Sequence, residues 1–248
     1  MKDYRKTLKL EKTHDFCPSG NPRLTVVFLH GIAADSSSFE RTIRYLENTA
    51  ALSDIRYVAF DLLGAGKSLK NDNLDYGYPD QIAALENSLA ELNITTPLIL
   101  VGHSMGTLIV TRYAYDHKTD VALLILCSPP IYTEKDLDNP AFEMAMTGFK
   151  NAVSVKNREI LREKSFNQSL NKIVKNRKNY KRLASITTPA ILIYGDLDQI
   201  IAPHNIPKAI KANPKFLSAI KTVGRHGMSR EKNVEIGKIL DEMLQGDF

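Results

Sequence analysis

The chain has 248 residues, of which 43% are hydrophobic and 25% charged, with a formal net charge of +5. That balance fits one globular domain with a sizeable core and excludes a low-complexity or fibrous chain. No run approaches the roughly 18 apolar residues of a membrane span, and the charged stretch at residues 1–6 is not followed by an apolar leader core. Two cysteines, Cys17 and Cys127, make no disulfide framework; the expected protein is cytoplasmic.

In chain order, residues 8–12 read as a short antiparallel edge strand with a partner nearby, and 18–22 as a turn. Residues 25–29 make a buried strand, 39–49 a helix and 56–60 a second buried strand. Residues 78–92 form a helix, with Ile82, Leu85 and Leu89 three or four apart. Strand 98–101 leads to helix 107–116, and strand 121–127 stops at Pro129-Pro130. Alternation then fails. From 129 to about 186 helical spacing takes over, with Phe142, Met146, Phe149 and Val153 on one face. Strands 190–194 and 216–223 and a closing helix, 233–244, complete the chain. Alternating strands and helices predict an α/β fold with a mostly parallel central sheet.

The stretch Gly102-His103-Ser104-Met105-Gly106 reads G-x-S-x-G between a strand and a helix. A serine on so sharp a turn sits in a strained conformation with its hydroxyl pushed out, and Cβ atoms at the flanking glycines would crowd it. An activated serine needs a base, and the base needs an orienting acid. His226 lies late in the chain in Val223-Gly224-Arg225-His226-Gly227. Asp198 lies in Gly195-Asp196-Leu197-Asp198, on the loop leaving strand 190–194. The amide of Met105, at the start of a helix, is placed to donate to a developing oxyanion.

These residues, with Leu29-His30-Gly31-Ile32 and Asp61-Leu62-Leu63-Gly64-Ala65-Gly66-Lys67-Ser68, resemble the ordered motifs of the α/β-hydrolase family over nearly the whole chain. The resemblance implies that Ser104, Asp198 and His226 form a catalytic triad, with Asp198 favoured over Asp196 as the acid. It implies a second oxyanion donor at the amide of Ile32, and a structural rather than catalytic His30. It also implies a core domain of residues 1–128 and 187–248, with a small helical cap, 129–186, inserted after the sixth strand. His103 is expected to point away from the serine hydroxyl. Relatives that open epoxides or cleave carbon–halogen bonds carry aspartate at the nucleophile position, so Ser104 speaks against both.

The expected activity is hydrolysis of a carboxylic ester or thioester of a small to medium acyl substrate through an acyl-enzyme. The alternatives are C–C bond cleavage on an acidic diketone-like substrate, or a small-molecule sensor that retains the triad. Phe142, Met146 and Phe149 either line an acyl pocket or pack on the core, or both. Residues 150–182 carry eleven Lys or Arg against Glu159 and Glu163. That excess either attracts an anionic substrate or is a solvated helix face. No recognition motif for nucleic acid accompanies it. Gly66-Lys67-Ser68 fails as a phosphate loop because Asp61 stands where the first glycine belongs, and no zinc-like spacing is present. No cofactor and no metal is expected.

Overall fold

A computed structural model describes residues 4–118, 120–152, 163–226 and 233–245. Its centre is a seven-stranded sheet in the order β1-β3-β2-β4-β5-β6-β7. Strand β1 is Glu11–Phe16, β2 Leu24–Leu29, β3 Ile55–Asp61, β4 Leu98–His103, β5 Leu123–Cys127, β6 Ala190–Gly195 and β7 Leu217–Thr222. All neighbours pair in parallel except β1, which runs antiparallel to β3 with a register irregularity between Lys12 and His14.

Strands β2, β4 and β5 are buried along their full lengths. Helices cover both faces, which is why these strands read as unbroken apolar runs rather than alternating ones. Successive side chains divide between two clusters. Val27, Leu29, Leu100 and Leu126 face the layer containing α2 (Tyr78–Glu91) and α3 (Met105–Asp116). Val26, Phe28, Val101 and Ile125 face the layer of α1 (Glu40–Glu47) and the closing helix Asn233–Leu244, whose Ile236, Leu240 and Leu244 are buried.

The antiparallel edge differs from expectation. Leu8 and Leu10 are buried, but residues 8–10 are not strand. Their backbone bonds go elsewhere than to a neighbouring strand: the Leu8 amide donates to Arg5 O, Ser88 Oγ accepts from the Leu10 amide, and Asn87 Nδ2 donates to the Leu8 carbonyl. The edge strand starts at Glu11, and among the described residues it is single. The segment 129–186 therefore follows the fifth strand of the described sheet, not a sixth. That segment contains no strand among its described residues. It comprises α4 (Glu134–Leu137), α5 (Pro140–Ala152), α6 (Glu163–Ser169), a π-helical turn at Leu170–Val174 and α7 (Asn179–Leu183). Val153, Gly227 and the side chain of Val234 lie outside the described residues, as do Lys156, Arg158 and Arg162. Among the described residues no helix is long and apolar enough to cross a membrane.

Candidate active site

Ser104 sits between β4 and α3 with φ 49° and ψ −118°, a region L-residues rarely occupy. Two close approaches shape this turn. A Cβ on Gly102 would stand 2.5 Å from the Thr107 amide nitrogen, and one on Gly106 would stand 2.2 Å from the Leu29 carbonyl oxygen. The Ser104 amide donates to the Cys127 carbonyl at 2.9 Å, tying the turn to the end of β5. Met105 opens α3, so its amide is among those a helix start leaves without an intrahelical acceptor.

The exits of β6 and β7 are laced together. The Asp196 amide donates to Thr222 O and the Leu197 amide to Gly224 O. A Cβ on Gly195 would meet Gly224 O at 2.2 Å, so glycine is what lets the two strand exits close up. This brings Asp198 and His226 together. Asp198 Oδ2 lies 2.9 Å from His226 Nδ1, and His226 Nε2 lies 3.0 Å from Ser104 Oγ. A carboxylate only accepts, so Nδ1 carries the proton and Nε2 is left to accept from the serine hydroxyl. The other Asp198 oxygen accepts from the amides of Ile200 at 2.9 Å and Ile201 at 3.2 Å. Burial alone would raise this carboxyl. The His226 bond and charge, with the two amides, outweigh burial and hold its pKa below the ordinary value.

His30 donates from Nδ1 to Gly31 O and accepts from the Leu62 amide at Nε2, so both ring nitrogens hold backbone. The Gly31 loop reaches the nucleophile closely, since a Cβ on Gly31 would lie 3.0 Å from Ser104 Cβ. Ile32 follows in this loop, half-buried against the apolar cluster that contains Met105. Asp196 is exposed beside Lys221, at 3.7 Å, and it is Asp198 that bonds the His226 ring. Asp61 accepts from the amides of Ser36 and Lys67 and holds its own turn. His14, His117 and His204 each pair with a surface carboxylate, Glu47, Glu86 and Asp136 respectively.

Met146 is buried, with Phe142 and Phe149 half-buried against the same cluster. The Phe142 ring meets Tyr132 edge-on at 4.6 Å, and Phe149 stacks on Phe166 at 6.2 Å. All three therefore pack on the core. The sequence reading missed two supports of the site: the paired amides behind Asp198, and His103, whose Nε2 donates to the His226 carbonyl at 3.0 Å.

A family model described as alpha/beta hydrolase fold matches residues 25–173. The chain belongs to this family. The match includes Ser104 and stops before Asp198 and His226. Among curated relatives, the chain is 31% identical over 128 residues to a protein described as probable lysophospholipase BODYGUARD 5 from Arabidopsis thaliana, covering 51% of the chain and 29% of that protein. It thus spans under a third of that relative's length. Lipase 1 of Psychrobacter immobilis is 24% identical over 225 residues, covering 79% of the chain and 68% of the lipase. Among solved structures, an esterase from Exiguobacterium antarcticum superposes with a TM-score of 0.73 at 19% identity, covering 94% of each chain. At that identity the likeness is one of fold.

Proposed function

We propose that this chain is a serine hydrolase that cleaves a carboxylic ester or thioester of a small to medium acyl substrate through an acyl-enzyme. The observation that carries the reading is the single imidazole of His226 within hydrogen-bonding distance of both Ser104 Oγ and Asp198 Oδ2, at 3.0 and 2.9 Å. In this reading His226 removes the Ser104 proton as Oγ attacks the carbonyl carbon. Asp198 fixes the tautomer and stabilises the imidazolium. The amides of Met105 and Ile32 receive the oxyanion, each donor being worth roughly 3–4 kcal/mol of barrier. The imidazolium then protonates the leaving group, and water, deprotonated by the same histidine, releases the acid.

Residues 129–186 act in this reading as a cap on a core of 1–128 and 187–248, in which the half-buried Phe142 and Phe149, backed by the buried Met146, offer apolar surface to the acyl chain as well as packing on the core. The site is treated as free of cofactor and metal, because the triad and amides supply every proton and charge the two steps need. Two cysteines, neither in a disulfide, support a reducing compartment such as the cytoplasm. An acidic substrate for C–C cleavage is less favoured, because five of the cap's described basic side chains already pair with carboxylates. Lys150, Lys175, Arg177 and Lys181 pair with Glu163, Glu143, Asp138 and Glu134, and Lys172 pairs with Asp75.

The test is a panel of p-nitrophenyl esters and acyl thioesters of graded chain length, with Ser104→Ala as control. Trapping of an acyl group on the peptide carrying Ser104, seen by mass spectrometry, is the expected result. Turnover that survives Ser104→Ala, or no turnover on any ester or thioester, removes the reading.

A further inference from the structure

His103 lies beside the nucleophile, yet its ring is directed at the base rather than at the serine hydroxyl. Its Nε2 stands 3.0 Å from the backbone carbonyl oxygen of His226, a residue 123 positions away. A carbonyl only accepts, so Nε2 carries the proton of this ring. The two imidazoles lie 5.3 Å apart, tilted by 44°. On its other side, His103 Nδ1 lies 3.1 Å from where a Cβ on Gly31 would sit. One buried ring, 7% exposed, thus touches the base's backbone and the loop that precedes Ile32, while its own backbone continues into Ser104.

We propose that His103 is a positioning residue: its Nε2–H···O bond to the His226 carbonyl holds the loop of the base against the nucleophile turn, so that the imidazole of His226 keeps its reach to Ser104 Oγ. The proposal rests on the serine-hydrolase reading of the same site.

Geometry supplies the reason such a tie is needed. His226 lies four residues beyond the end of β7, in a loop outside the sheet ladder. Its loop is tied to the exit of β6 at Gly224 and its side chain is held by Asp198, but neither bond fixes the peptide of His226 itself. The bond from His103 fixes the carbonyl of the same residue, so base and backbone are both tethered. The ring is also suited electrically to this place. Burial first, then the charge of the nearby His226, push its pKa down to about 3, against the opposing pulls of the bond to the His226 carbonyl and of Asp198, and with a smaller push from His30. It therefore stays uncharged next to a histidine that becomes an imidazolium during the reaction.

The bond path from Cβ to Nε2 in histidine has the same number of atoms as that from Cβ to the amide nitrogen of glutamine. Asparagine is one methylene shorter and reaches only to the place of Nδ1. The test compares His103→Gln, His103→Asn and His103→Leu with wild type on the p-nitrophenyl ester that wild type turns over best. Ser104→Ala and thermal midpoints run alongside.

The ring does not touch substrate in this account, so the loss falls on kcat and leaves KM unchanged. The expected result is a kcat lowered on the order of 10²-fold in the Asn and Leu variants, the scale of a reacting group displaced by about 1 Å, with Gln within a few-fold of wild type. Because Gln and Asn are both amides, this pair stays informative where Leu fails to fold. Equal kcat in all variants, or a fall in all three that follows their thermal midpoints, overturns the positioning role alone. A wild type without Ser104-dependent turnover overturns the hydrolase reading, and the positioning role with it.

Discussion

The strand ends that carry Ser104, Asp198 and His226 are built differently from the helical segment at 129–186. At the strand ends, backbone approaches backbone. Gly106 leaves room for the Leu29 carbonyl and Gly195 for that of Gly224, each 2.2 Å from where a Cβ would be. The helical segment is seated by side chains instead. Met146, Phe166, Leu170 and Ile173 are buried. Ser165 Oγ donates to Gly64 O and Ser169 Oγ to Tyr76 O, and Lys164 Nζ donates to Asp72 O. Its outer face carries exposed ion pairs, a class worth at most about 1 kcal/mol each. The strand ends are thus specified by steric exclusion, which admits no added atom. The helical segment is specified by many weak contacts, each of which tolerates change.

The sharpest break in the comparison is chemical. Ser104→Ala removes one oxygen from the rigid region, and kcat on the best ester is expected to fall by at least about 10⁴-fold, while far-ultraviolet circular dichroism and the thermal midpoint stay near wild type. The next largest effect is steric. Gly106→Ala drives a methyl group into the backbone of β2, where neither partner can rotate away. A loss of about 3 kcal/mol in urea unfolding is expected.

The contrast also explains what could be read from the sequence. Glycines at 102, 106 and 195 sit where a Cβ would strike backbone, so a chemical constraint wrote itself into residue identity. The apolar runs of β2, β4 and β5 were legible for the same reason, since a strand buried on both faces has no polar alternative. Leu8 and Leu10 misled because alternation records burial and not the partner of the backbone; their bonds go to Arg5, Ser88 and Asn87. The charge of residues 150–182 left two readings open because part of its answer lies outside that window: Lys181, Arg177, Lys175 and Lys172 pair with Glu134, Asp138, Glu143 and Asp75. His103 could be placed beside Ser104, but its partner is a main-chain carbonyl, which no residue type encodes.

A third test probes the join between the regions. Asp136 forms a capping box with Thr133 at the start of α4, and its carboxylate also accepts from Asn205 Nδ2 at 2.7 Å. Burial works to raise this carboxyl, but the bonds from Thr133, Asn205 and His204 prevail and lower its pKa to about 2. The depressed value means the native state favours the ionised form. Its contribution to stability is complete above the unfolded value near 3.9 and is lost as pH falls through about 2. With solvent screening, Asp136→Asn is expected to lower stability by about 1 kcal/mol at pH 6. In urea titrations that gap narrows steadily below pH 4. A gap that persists at the acid end assigns the effect to lost shape rather than lost charge.

The smallest expected effect has the opposite sign, and it separates the two regions most directly. Gly148 lies inside α5 and, unlike Gly106, would place a Cβ with nothing from the rest of the described residues within 4 Å. Glycine in a helix interior costs conformational entropy that alanine does not. Gly148→Ala is therefore expected to stabilise the protein by roughly 0.5–1 kcal/mol, read from the same unfolding curves as Gly106→Ala. The chemical change is identical in the two variants, one methyl group, so the difference in sign isolates the surroundings. If Gly148→Ala destabilises, α5 has a close neighbour at that position and its outer face is not open. If it stabilises while kcat/KM for short and long acyl esters is unchanged, the helical segment is held in place without needing a flexible residue there. An increase in KM confined to long acyl chains would instead assign that glycine a part in admitting the acyl chain beneath α5.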